Sequence, residues 1–183
     1  MENKDLDEKN WKKTDYNIFE YFWSNSIFSI KDERNLPYFL KKIDIFKDFS
    51  ELELFDLVDC MHIRNFSTGE QIITDDKYGI GFYLVVSGSL ELKSKNKGVD
   101  HNITLYPKMH FGERNLLLDH NKSNITVAAK EKSVLAAILI PDLDNLIDKK
   151  PRIAVKLIKT LSKISLSRLN EIEKHLDGGK WYV

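Results

Sequence analysis

Apolar positions recur along this chain with two different periods, and the period switches twice. Near the start, Phe19, Phe22, Trp23, Ile27 and Ile30 fall at the three-to-four-residue spacing of one helix face. This aromatic helix must bury its face on its own domain or on a partner. Further on, Ser50 followed by Glu53 forms a capping box, which predicts a helix whose inward face is Leu54, Leu57, Val58 and Met61.

The pattern then shortens into apolar runs of a few residues separated by turn formers. His62 to Phe66, Ile72-Ile73, Phe82 to Val86, Leu90 to Leu92 and Val134 to Ile140 read as strands. Gly69, the polar segment 75–79 and Ser87-Gly88-Ser89 read as turns, and Lys93 to Asn102 as a polar hairpin tip. Short strands at regular spacing with glycine turns predict a mainly β jelly-roll barrel with flanking helices.

After the last strand the helical period returns. Pro141 opens a short helix with Leu143, Leu146 and Ile147 apolar, and Pro151 begins a long one. Its apolar stripe includes Leu157, Ile158, Leu161, Ile164, Leu169 and Ile172 and is interrupted by Ser162, Ser165 and Arg168. Carried to Leu176, this helix is longer than one small barrel needs, which makes the stripe a candidate dimer seam. Gly178-Gly179 ends it, ahead of an aromatic tail containing Trp181 and Tyr182. The expected organisation is 1–35 as tail and aromatic helix, 36–150 as barrel, and 151–183 as long helix and tail.

The stretch with chemical content is Leu105 to Ala129. It turns at Pro107, reads Phe111-Gly112-Glu113, continues into Leu116-Leu117-Leu118, and re-enters a strand at Ile125 after a polar turn. A glycine beside a carboxylate, followed by a short helix with free amides, can hold a phosphate and a sugar hydroxyl together.

Composition narrows the alternatives. The chain has 183 residues, is 42% hydrophobic and 31% charged, and carries 28 Lys+Arg against 28 Asp+Glu. A balanced charge gives no general attraction to nucleic acid or an anionic membrane. The single cysteine, Cys60, excludes an internal disulfide and reads as a small buried hydrophobe. No apolar run approaches the ~20 residues of a membrane span. The five histidines form no close ligand pair, so a metal-dependent cupin enzyme is a poor reading and no metal is expected. No nucleophile elbow, Walker loop or dinucleotide glycine motif is present.

The Phe111-Gly112-Glu113 segment, its leucines and the glycine turns at Gly69, Gly88 and Gly112 resemble the phosphate-binding cassette and barrel of the cyclic-nucleotide-binding domain family. The resemblance runs from Leu36 to Leu176, with Phe39 to Leu54 as the family's entry helices. It implies that Glu113 accepts from a ribose 2′-hydroxyl. It also implies an arginine for the cyclic phosphate, and here that position falls on Ser123, with Lys122 beside it. Two further departures are Lys108, where the family often has glycine, and Arg114, where it usually has an apolar residue. Candidate ligand residues are therefore Gly112, Glu113, Arg114, Leu116, Lys122, Ser123 and Asn124. An arginine would pair bidentately with the phosphate, whereas a serine gives one neutral hydrogen bond. Weak or absent cyclic AMP binding is the expectation, and no cofactor beyond a cyclic nucleotide is implied.

In the family's transcription factors a DNA-binding helix-turn-helix follows the long helix; with seven residues after Leu176 none is expected here. The resulting expectation is a non-enzymatic, cytoplasmic, bacterial regulatory or adaptor protein that acts through protein contacts, forms a homodimer and binds neither nucleic acid nor membrane. Phe19, Phe22, Trp23, Trp181 and Tyr182 are its candidate partner-binding anchors. The alternative is a genuine cyclic AMP, cyclic GMP or other nucleotide receptor with a phosphate site that lacks arginine.

Overall fold

The computed structural model describes residues 36–74, 79–96, 99–118 and 123–175. Two short helices, α1 (Leu36–Lys41) and α2 (Glu51–Val58), flank a 3-10 turn at Asp44–Phe46. The predicted capping box starts α2: Glu53 N–H donates to Ser50 Oγ at 3.2 Å, and Ser50 N–H donates to the Glu53 carboxylate at 2.7 Å.

Eight strands follow: β1 (His62–Phe66), β2 (Gln71–Ile73), β3 (Gly81–Ser87), β4 (Leu90–Asn96), β5 (Val99–Leu105), β6 (His110–Phe111), β7 (Ile125–Ala129) and β8 (Ser133–Leu139). A one-turn helix, α3 (Glu113–Leu117), lies between β6 and β7, and α4 (Ile140–Lys149) and α5 (Pro151–His175) close the described chain. The strands form two antiparallel four-stranded sheets, ordered β1-β8-β3-β6 and β2-β7-β4-β5. This is the expected jelly roll with helices at both ends.

β3 from Phe82 to Val86 and β8 from Val134 to Leu139 are apolar without interruption because both of their faces are largely buried, a period-two consequence of strand geometry. Tyr83, Val85, Leu135 and Leu139 point between the sheets, where they join Phe66, Ile73, Leu90 and Val127. Phe82, Leu84, Ala136 and Ile138 point the other way and carry the helical layer of Leu40, Phe46, Leu54, Leu57, Leu146, Leu157 and Leu161. Ion pairs tie α2 to the later helices: Lys156 to Glu53 at 2.7 Å and Lys150 to Asp56 at 2.5 Å.

Two expectations change. The hairpin predicted as a polar tip from Lys93 to Asn102 is mostly ladder, with Lys93 paired to Asn102 and Ser94 to His101. Backbone hydrogen bonds hold such a ribbon without an apolar face, so polarity alone does not mark a loop. The proposed dimer seam is also divided. Leu157 and Leu161 are 0% exposed within the chain's own core, and Ile158 and Ile164 pack partly against it. These four serve the fold, because the helical layer needs one stripe of α5 to cover the outer face of β3 and β8. Leu169 and Ile172 remain open, at 47% and 58%, together with Leu166 at 59%. Among the described residues no helix is long and apolar enough to cross a membrane.

Candidate functional site

The cassette is built on an abrupt turn. Gly112 has φ +83°, and a Cβ there would meet the Gly81 carbonyl oxygen at 2.4 Å, so only glycine fits. The turn delivers α3, whose first residue is Glu113. Lys108, where the resemblance leads one to expect glycine, also adopts a left-handed conformation, at φ +74°. The backbone demand that favours glycine is thus kept while the residue is not.

Glu113 is 4% exposed and faces α5. Its Oε1 accepts a hydrogen bond and ion pair from Arg168. Its Oε2 lies 4.0 Å from His110 Nδ1 without a hydrogen bond between them. Burial, then the nearby Arg168 charge, lowers the His110 pKa from the usual imidazole value, while the Glu113 carboxylate opposes the shift. Beside Glu113, Asn115 is 7% exposed and donates to the Gly81 carbonyl at 3.3 Å, bracing α3 on β3.

At the far end of the cassette Ser123 is 8% exposed, and its hydroxyl is used locally. It donates to the Ile125 carbonyl at 3.0 Å and accepts from the Ile125 N–H at 3.2 Å, a tight side-chain turn that starts β7. Asn124 is exposed, and its carbonyl accepts from Ser94 Oγ at 3.4 Å. Leu116 is partly buried against the helical core. Arg114 does not turn inward as a substitute for the missing arginine: it sits on the exposed side of α3, whose buried side is Glu113 and Asn115. Lys122, and the partner-binding candidates Phe19, Phe22, Trp23, Trp181 and Tyr182, lie outside the described residues.

The structure therefore brings Glu113, Arg114 and Leu116 onto one short helix that starts behind Gly112 and adds Arg168, which sequence reasoning took only as an interruption of an apolar stripe. No spacing rule links Arg168 to a residue 55 positions earlier. The one available signal was a charged residue within a stripe otherwise broken only by Ser162 and Ser165. Between α3 and α5 runs a groove of about 440 Å³ lined by Leu117, Leu118, Leu169 and Ile172, with Glu113 and Arg168 within it. Among the described residues no cluster of three or more His, Cys, Asp or Glu could hold a metal ion.

A two-sheet jelly roll carries a glycine-turned helix with a buried carboxylate and is crossed by a long helix near its end. Residues 63–150 match the model of the cyclic nucleotide-binding domain, and this segment belongs to that family. The chain is 25% identical over 104 residues to human cGMP-dependent protein kinase 2, covering 55% of this chain and 14% of the kinase. Only a small part of that relative's length is thus represented. Among solved structures, the Thermus thermophilus catabolite activator protein aligns with TM-score 0.64 at 26% identity, over 73% of this chain and 61% of that one. A Trypanosoma brucei protein kinase A regulatory subunit described as cAMP-independent aligns with TM-score 0.61 at 20% identity, over 75% and 48%. The fold is shared with both solved structures, and in such relatives the matched domain is a regulatory rather than a catalytic unit.

Proposed function

We propose that this chain is a non-enzymatic regulatory or adaptor module that binds cyclic AMP weakly or not at all and acts through protein contacts. The observation that carries this reading is that both cassette positions expected to hold the nucleotide are engaged by protein. Glu113 is paired with Arg168, and the Ser123 hydroxyl is closed onto the Ile125 backbone. A cyclic phosphate entering the cassette would lack a bidentate cation, and burying an anion without one costs several kcal/mol. A ribose would have to compete with Arg168 for the same carboxylate. The shared fold of the Trypanosoma subunit described as cAMP-independent is consistent with regulation of this kind.

The output surface is the outer end of α5, where Leu166, Leu169 and Ile172 are each about half exposed or more. A protein partner or a second copy would cover them. Because Arg168 lies in this same segment, any change at Glu113 is felt where the partner binds.

The rival reading, a working nucleotide receptor, is favoured by the retained Gly112 turn and Glu113. Calorimetry with cyclic AMP and cyclic GMP on the native chain and on Ser123→Arg separates the two. Charge-assisted hydrogen bonds from the new guanidinium are each worth about 1.5–3 kcal/mol, so the variant should bind at least about tenfold tighter than a weak or silent native chain. Tight binding by the native chain would reject the proposal.

A further inference from the structure

Charge is unevenly placed along α5. The sequence carries 28 Lys+Arg and 28 Asp+Glu, yet from Lys149 to Asn170 it has seven basic residues and no acidic one. Three of the seven are held by carboxylates from elsewhere in the fold: Lys150 by Asp56, Lys156 by Glu53 and Arg168 by Glu113. Arg152, Lys159 and Lys163 are exposed and have no ion-pair partner among the described residues. Together with Val155 and Leu166 they form one row, because each step along it is three or four residues. Ala154, Leu157 and Leu161, on the opposite face, are fully buried, so the row points to solvent. It runs for about 21 Å along the helix. Exposed helices usually intersperse both signs of charge. Here Lys159 and Lys163, four residues apart, repel each other, and beside them Val155 and Leu166 are 50% and 59% exposed.

The chemistry of the row selects what covers it. A second copy presenting the same face would set Lys159 and Lys163 against their own twins, and like charges across an interface oppose docking. Duplex nucleic acid carries a phosphate charge about every 1.7 Å of its axis, so three cations over the row neutralise only a small part of it. Anionic lipid surfaces are read by clusters of about four to eight Lys or Arg, with a broader apolar face than two aliphatic side chains. A helix bearing carboxylates fits, and α2 already supplies the pattern on the flank of α5. Its Glu53 and Asp56, three residues apart, take Lys156 at 2.7 Å and Lys150 at 2.5 Å. We propose that the outward face of α5 from Arg152 to Leu166 docks an acidic amphipathic helix of a partner protein. That helix sets carboxylates against Arg152, Lys159 and Lys163 and apolar side chains against Val155 and Leu166. This rests on the reading of the chain as a module that acts through protein contacts, and it gives the partner a chemistry. Arg168, seven residues after Leu161 and on its face, turns to Glu113 instead, so the row is separate from the cassette.

The test is an NMR titration of the full chain with a synthetic acidic peptide of about 18 residues, long enough to span the row. Its leucines fall at helical spacing between two flanks of glutamate, and a control peptide has lysine in place of every glutamate. The readout is the backbone amides of 152–166. The glutamate peptide should shift them saturably. Its affinity should fall about tenfold between about 0.1 M and about 1 M salt, as the screening length shrinks from about 10 Å to about 3 Å. Lys159→Glu combined with Lys163→Glu should weaken the glutamate peptide by about tenfold or more and admit the lysine peptide. The melting temperature should stay nearly unchanged, because both side chains are exposed. No saturable shift with the glutamate peptide, equal binding of the two peptides, or binding that survives the double reversal overturns the proposal. Tighter binding to phosphatidylserine vesicles or to poly(U) RNA than to the peptide also overturns it, in favour of a lipid or an RNA surface. Calorimetry with cyclic AMP on the same samples separates the two possible failures. Tight nucleotide binding rejects the reading on which the proposal rests, whereas a silent peptide with a silent nucleotide rejects this surface alone.

Discussion

Arg168→Met removes the guanidinium paired with Glu113, a carboxylate whose side chain is 5% exposed, while keeping much of the packing of the arginine stem. Two limits bracket the cost. Stripping the partner from a fully buried pair costs about 3–5 kcal/mol, whereas an exposed pair is worth about 0–1 kcal/mol. Here one end is buried and the other is 51% exposed, so water screens the arginine but not the glutamate. An intermediate loss of about 2 kcal/mol is expected, which for a chain of this length lowers the melting temperature by roughly 4–8 °C. Glu113→Gln in the same background should recover part of the loss, because a neutral amide no longer needs a counter-charge; a double-mutant cycle reports the coupling.

A pH series gives a second, independent readout. Burial and then Arg168 hold the folded-state pKa of His110 below its ordinary 6.5, against the opposing pull of Glu113. On acidification the unfolded chain therefore takes up the proton first. The native state is at no disadvantage above pH 6.5, and stability is lost as pH falls from 6.5 toward the depressed folded value. Arg168→Met removes the second of the two depressing causes, so the acid-dependent loss should shrink even as the neutral-pH stability falls. A variant that melts within about 1 °C of the native chain, or that keeps the full acid dependence, would refute the claim that Arg168 is electrostatically coupled to Glu113 and His110.

The other expectations concern the backbone and α5. Lys108→Gly relieves a side chain held at φ +74°; a Cβ in that region costs about 1–2 kcal/mol and glycine's extra chain entropy returns about half of it, so thermal melts should show a net gain of about 0.5–1 kcal/mol. Leu157→Ala opens a cavity in a fully buried position and should cost about 2–5 kcal/mol in urea denaturation. Leu169→Glu, on the exposed stretch of the same helix, should leave denaturation nearly unchanged while abolishing any self-association seen by light scattering at high concentration.

The sequence alone carried the jelly roll, because its evidence is local. Strand runs, glycine turns and the Ser50–Glu53 capping box are each set by residues within a few positions of one another, and the structure keeps all three. The Phe111-Gly112-Glu113 turn belongs with them, since a backbone that must pass close to Gly81 admits only glycine there. Sequence could not assign sides to the long helix. A stripe with one period looks the same whether it faces its own barrel or a partner, and only the packed helical layer shows Leu157 and Leu161 facing inward and Leu169 and Ile172 outward. Nor could it give Glu113 its partner. The pairing with Arg168 joins two segments brought together by the crossing of α5 over α3, and electrostatic pairing leaves no periodic trace in the chain. Ser123 illustrates the same division: its replacement of arginine was legible as a letter, but the closing of its hydroxyl onto Ile125 depends on the three-dimensional path of the turn into β7.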